Sequence, residues 1–319
     1  MSRLAPAWIN FTYPDDSFSS SPAVVNGTVY TGTANGLVFA YNGKTGQPLW
    51  QNNIGLNNYS SPVVANGIVY VGTDTLYALN AKSGKVIWTY KTGGYIGSPI
   101  VDNGVLYFGS YDSNVYALDA ATGKLLWSYN THSPANSSPA VANGMVYIAE
   151  DASVIALNAS SGTEQWTFSV GSGTPTVANG IVYISGNDNN LYALNASTGA
   201  LVWKKAVSGV EYEALAVANG MLFFGTDNSI MYAFNAQTGT QIWAFTAKSL
   251  FSVSPAIANG VVYIGDFGTD LYALNANTGK MLWTYEVRGG NTSSTMVVVN
   301  GSVYVSEDYG GFYAFRLPL

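Results

Sequence analysis

The chain has 319 residues and a formal net charge of −6, with only 9% charged residues against a typical ~25%; Asn, Ser, Thr, Gly and 23 Tyr supply the polarity. It has no Lys/Arg run, no apolar run of ~18 residues and no Cys. These absences argue against nucleic-acid binding and a membrane-spanning helix, and rule out disulfides, thiolate catalysis and Cys-based metal centres; a single His, His132, also rules out a multi-His metal site.

In chain order, "APAWINFTY" (residues 5–13) reads as a lone strand carrying Trp8. Asn26-Gly27 follows, the first of eight Asn-Gly pairs set between apolar alternations. Asn-Gly is a strong hairpin signal because both residues tolerate the positive φ of a type I′ turn. The next unit, residues 61–92, shows the whole pattern. "SPVVA" is a strand, "IVYVG" follows Asn-Gly, "LYALN" follows a polar turn with Asp74, and "KVIWTY" follows Ser83-Gly84. That is four short antiparallel strands in about 40 residues. The pattern recurs to the C-terminus, and the eight Trp fall 37 to 42 residues apart. Four-stranded units at this period mean propeller blades. The chain closes with "GFYAFRLPL", which matches only a third strand. The expectation is therefore an all-β, eight-bladed β-propeller forming a single domain over residues 1–319. Its last blade takes three strands from 293–316 and the outer strand from 5–13, which removes open sheet edges.

One phrase ends in the Trp of each complete blade: "ALNAKSGKVIW", "ALDAATGKLLW", "ALNASTGALVW", "ALNANTGKMLW". Its short polar residues, Asn195 and Thr198 in the fifth blade, are placed to close a turn on their own backbone, and Gly199 can take positive φ. The phrase resembles the repeat of the quinoprotein-like (pyrroloquinoline-quinone repeat) eight-bladed propellers, across essentially the whole chain. The resemblance implies that Trp8, Trp50, Trp88, Trp127, Trp166, Trp203, Trp243 and Trp283 dock between blades. Each would lie against the Ala that opens its own phrase and the Gly of the next: Trp203 between Ala193 and Gly239, Trp243 between Ala233 and Gly279. The sequence departs from the family in preferring Asn over Asp at the third position; Asp119 alone keeps Asp.

The family includes quinone-dependent alcohol dehydrogenases, whose cofactor lies between a Trp and a disulfide of adjacent Cys, with Ca²⁺ and a catalytic Asp. This chain has no Cys, and its eight Trp are assigned to docking. It looks closer to shorter, non-catalytic members such as the propeller lipoprotein of the outer-membrane barrel-assembly machinery. The expectation is a monomeric, non-catalytic, extracytoplasmic scaffold, periplasmic or at the cell surface, without cofactor or metal and with a protein or surface glycan as partner. No signal peptide is visible in "MSRLAPAWIN". A carbohydrate- or surface-binding or filament module is the alternative, and a quinone enzyme the third reading.

Strand order gives each blade two ends. One carries the uniform Asn-Gly and Ser/Thr-Gly turns. The other carries the turn between second and third strands and the inter-blade loop, whose sequences vary; recognition is usually placed on such loops. The candidate partner-binding residues there are Asp15, Asp16, Tyr59, Tyr95, His132, Glu211, Tyr212, Glu213, Lys248, Arg288, Glu307 and Asp308. Two departures also stand out, Ala214-Leu215 where most blades have Ser-Pro and Ser294-Thr295 in the last blade. Most acids fall at the variable ends, either to attract cations or a basic partner or because carboxylates close turns on their own backbone.

Overall fold

A computed structural model describes residues 5–11, 18, 20–55, 60–135, 137–171, 173–209, 214–287, 291–292, 294–308 and 311–316. These residues form eight antiparallel four-stranded sheets and no helix. Blades one to seven are continuous in sequence, at residues 23–53, 63–91, 100–130, 140–169, 176–206, 216–246 and 256–286. Blade eight joins Val297–Val299, Ser302–Ser306 and Gly311–Arg316 to the N-terminal strand Pro6–Phe11. That strand pairs antiparallel with the third strand, Trp8 opposite Ala314 and Phe11 opposite Gly311, so the split blade is as expected. The chain divides into two compact units: Met1–Ser61 with Ala216–Leu319, holding blades one, six, seven and eight, and Pro62–Leu215, holding blades two to five.

The hairpins follow the sequence closely. The eight Asn of the Asn-Gly pairs that join first and second strands have φ between 47° and 52°, and their Gly lie between 70° and 80°, both in the region a type I′ turn requires. Second and third strands alternate Val, Ile, Leu and Tyr on both faces and are almost wholly buried. Fourth strands bury only alternate residues. First strands of neighbouring blades approach each other within each unit.

The phrase forms a self-closing turn. In blade five the Asn195 side-chain oxygen accepts the backbone N–H groups of Ser197 and Thr198, each at 3.0 Å. Asp119 does the same for Thr122 at 2.8 Å, so the Asn-for-Asp exchange leaves the turn intact. Each Trp then sits opposite the Ala that opens its own phrase, Ala193 opposite Trp203 and Ala233 opposite Trp243. The pairing register shifts immediately beyond that Ala in blades one to seven. Such a bulge inserts one unpaired residue and twists the strand; here it is the residue before the Trp. In most blades it is apolar and about half exposed, as Ile87, Leu126 and Val202 are.

Register corrects one sequence assignment. Val297 lies opposite Tyr304 as Ala23 lies opposite Tyr30. The residues of blade eight at the Ser-Pro place are therefore Thr295 and Met296, one step beyond Ser294-Thr295. Met296 is buried at 1% exposure, where blade one has Pro22.

Candidate functional site

At the variable end of blades three, four and seven, hydrogen bonds tie the second turn to the loop arriving from the preceding blade. In blade three one Asp112 oxygen accepts the Gly93 N–H of that loop and the Tyr116 hydroxyl, both at 2.8 Å, while the other accepts the Asn114 N–H at 3.1 Å. Burial alone would raise the Asp112 carboxyl, but these donors outweigh it and hold it below the usual carboxylate range. Burial and the same carboxylate push the Tyr116 hydroxyl up. In blade four the Glu150 carboxylate accepts the hydroxyls of Ser133 and Ser153. In blade five Asp188 accepts Tyr192 at 2.7 Å and Lys204 at 2.9 Å. Burial opposes ionisation of Asp188, yet Lys204, Tyr192 and Asn190 together lower it to about 2.

Blade seven repeats the device in the other unit. Asp266 is fully buried and accepts the N–H groups of Gly268, Asp270 and Ser249 and the Tyr272 hydroxyl. These acids are acceptors built into the frame. Of the two readings of acid placement, turn closure is what Asp112, Glu150, Asp188 and Asp266 carry out.

The twelve candidate residues divide accordingly. Asp15, Asp16, Tyr59, Glu211, Tyr212, Glu213 and Arg288 lie outside the described residues. Tyr95 is exposed at the variable end. His132 is exposed and occupies a turn at φ 66°, its N–H donated to the Asn130 side chain. Lys248 pairs with Asp270 at 2.8 Å, and that carboxylate is only 9% exposed. Glu307 does not belong to an accessible surface: it is 1% exposed and one of its carboxylate oxygens accepts the Gly311 N–H at 2.8 Å. Asp308 is half-buried and donates its backbone N–H to the Asn291 carbonyl. The Ala214-Leu215 departure is packing: Leu215 is 4% exposed and its carbonyl accepts the Thr176 hydroxyl.

Sequence reasoning missed two features. One is the acid–tyrosine brace, legible as Asp112 with Tyr116 and Asp188 with Tyr192, four residues apart. The other is a pair of half-exposed tyrosines. Tyr111, at the tip of the second turn of blade three, donates its N–H to the Tyr95 carbonyl at 2.8 Å; the side chains are 53% and 47% exposed. Phe267 holds the same turn position in blade seven, bonded to the Leu250 carbonyl and 45% exposed. Among the described residues, no group of three or more His, Asp or Glu is placed to hold a metal ion.

The docking geometry of the indoles bears on family. Trp8, Trp88, Trp127, Trp166 and Trp243 donate their indole N–H to a carbonyl of the next blade, at Gly43, Ala120, Ala159, Ala196 and Ala276, over 2.8–3.2 Å. The same rings cover the phrase Gly of that blade: a Cβ on Gly279 would lie 2.7 Å from Trp243. A profile of the family described as outer membrane protein assembly factor BamB matches residues 5–97, 75–172 and 150–318. The chain belongs to this BamB family. BamB from Moraxella catarrhalis superposes with a TM-score of 0.82 at 19% identity, covering 99% of this chain and 98% of that one. The computationally designed Ika8 protein gives 0.86 at 15% identity, covering 96% and 98%. A europium-containing methanol dehydrogenase gives 0.85 at 14% identity, covering 98% and 93%. At these identities the likenesses establish the eight-bladed fold, which BamB shares with a designed protein and an enzyme. No curated protein matches the chain.

Proposed function

We propose that the chain is a non-catalytic, extracytoplasmic assembly scaffold that docks a protein partner on the variable ends of its blades. Membership of the BamB family supports the assembly role. The observation that carries the docking site is the Tyr95–Tyr111 pair. Tyr offers rigid, amphipathic contact area and is enriched where interfaces concentrate their binding energy. The Asp112 brace fixes the turn that bears Tyr111, so little ordering cost accompanies binding.

The non-catalytic reading is supported by the donor set. A quinone held between a Trp and a disulfide does not fit a chain without Cys in which the indoles of Trp8, Trp88, Trp127, Trp166 and Trp243 are committed to neighbouring blades. Purified protein mixed with pyrroloquinoline quinone and Ca²⁺ is expected to show no saturable binding and no dye-linked alcohol oxidation. Micromolar quinone binding would overturn this reading.

The docking site is tested by placing a photo-crosslinking residue at position 111 in cells that produce the protein. A discrete cross-linked partner, lost on Tyr95→Ala and absent when the probe stands at Lys85 on the uniform-turn end, is the expected result. An identical pattern from both positions would overturn it. The exposed tyrosines also suit stacking against sugar rings, the second reading. A glycan array separates the two, since a glycan binder gives Tyr111-dependent signal there and a protein scaffold gives none.

A further inference from the structure

Four blade junctions follow one rule. The residue after the hairpin Gly faces the next blade, where it packs beside the Ala that follows the phrase Asn. Ile68 meets Ala120, Val105 meets Ala159, Met145 meets Ala196 and Met221 meets Ala276. At the junction of blades eight and one the same two places hold Ser302 and Gly43. Both side chains that close those four junctions are cut back. A cavity of about 540 Å³ opens there, at the uniform-turn end of the strands. That lies within the range of small-molecule sites, ~300–1,000 Å³.

The rim is exceptional in charge as well. Arg316 stands where blades two, four and six have Asn80, Asn158 and Asn235, each capping its own turn. Lys44 stands beside it, and the Arg316 guanidinium donates to the Lys44 carbonyl at 3.5 Å. Among the described residues neither cation has a carboxylate partner. The rest of the lining offers amides and a hydroxyl, from Asn26, Asn300 and Ser302, over Tyr304, whose own hydroxyl is spent on the Gly43 carbonyl. Among the described residues no acid lines the cavity.

We propose that this cavity binds a sugar-sized, hydroxylated anion. Lys44 and Arg316 take its carboxylate or phosphate, and the amides and Ser302 take its hydroxyls. Charge-assisted hydrogen bonds are about twice as strong as neutral ones, so the anionic group contributes most per contact, and the several hydroxyl contacts add enough to separate a sugar anion from a bare one. The site is built on the uniform hairpin turns, not on the variable loops that bear the tyrosine pair, and is independent of the scaffold reading.

Calorimetric titration of the whole protein with glucuronate, glucose 6-phosphate, glucose and inorganic phosphate tests it. Saturable binding of at least one sugar anion at ~1 mM or tighter is expected, with glucose and phosphate about tenfold weaker or more. Which of the two anions binds distinguishes carboxylate from phosphate as the recognised group. Ser302→Met installs the residue that blades four and six accept at this place and should abolish binding while keeping the thermal midpoint. Should that variant fail to fold, Lys44→Gln and Arg316→Gln on the exposed rim decide, each expected to weaken binding about tenfold. No saturable binding of either sugar anion, binding undiminished in a folded Ser302→Met or in both rim variants, or phosphate binding as tightly as the sugar anions would overturn the proposal.

Discussion

The junction of blades six and seven and the junction of blades eight and one lie in the same compact unit and use the same clamp. In the first, Trp243 is 8% exposed, donates to Ala276 at 2.8 Å and packs beside Phe223. In the second, Trp8 is half-buried, donates to Gly43 at 3.0 Å and shares that carbonyl with the Tyr304 hydroxyl at 3.1 Å. The indole hydrogen bond and the seat over the phrase Gly survive although Trp8 arrives from the opposite end of the chain. The side packing does not survive, since Met221 and Ala276 are answered by Ser302 and Gly43. Clamp and filling are thus separable: the clamp is held by backbone geometry, and the filling varies from blade to blade.

The largest expected effect is at the split blade. A chain beginning at residue 15 loses the strand Pro6–Phe11 and Trp8 together, leaving the third strand of blade eight an open edge. Its stability should fall by more than the ~3–5 kcal/mol of truncating one core Trp. An unchanged midpoint in thermal or urea unfolding would break the comparison by showing that the seam needs no clamp.

Next in size are the indoles themselves. Trp243→Ala should cost ~3–5 kcal/mol, and Trp8→Ala less, because its ring is only half-buried. Equal costs from chemical denaturation would mean that side packing contributes nothing beyond the clamp.

Smaller again is the seat of the indole. Gly279 has φ 68° and a Cβ there would stand 2.7 Å from the Trp243 ring, whereas Gly27 has φ 75° and open space around it. Gly27→Ala should cost only the ~1–2 kcal/mol of a left-handed L-residue, and Gly279→Ala should exceed it. Similar values for the two would remove the steric argument for Gly in the phrase.

The smallest effect concerns acid. The folded carboxyls of Asp112 and Asp188 lie below their ordinary value of 3.8, Asp188 at about 2. A depressed folded value contributes stability above the unfolded pKa, and that contribution is lost as pH falls through the folded one. The thermal midpoint should therefore decline between about pH 4 and pH 2, modestly, because Asp188 is 46% exposed and screened by solvent. Asp188→Asn should flatten that part of the profile. A midpoint insensitive to pH in this window would show that the braces contribute nothing to stability.

The fold was legible because its signals are local and repeated. Asn-Gly between apolar alternations favours a type I′ hairpin, and all eight copies that join first and second strands adopt the required dihedrals. The Asn195 turn closes on its own backbone within three residues. The candidate site was less legible. Tyr95 was found at an exposed position, but Glu307 is buried, because an acid in a loop sequence reads the same whether it faces solvent or accepts a backbone N–H. Tyr111 and Phe267 were missed since nothing in their local sequence separates an exposed turn aromatic from the many buried Tyr.

By itself, then, the sequence determined the number of blades, their hairpins and the split of the last one, since turn chemistry and alternation act between residues a few positions apart. Tertiary structure alone decided which acids became internal acceptors, where Thr295 rather than Ser294 falls in register, and that Ser302 and Gly43, 259 positions apart in number, leave a cationic cavity between them. Each of those outcomes depends on which side chains meet across a blade junction, and no local pattern records the partner on the other side.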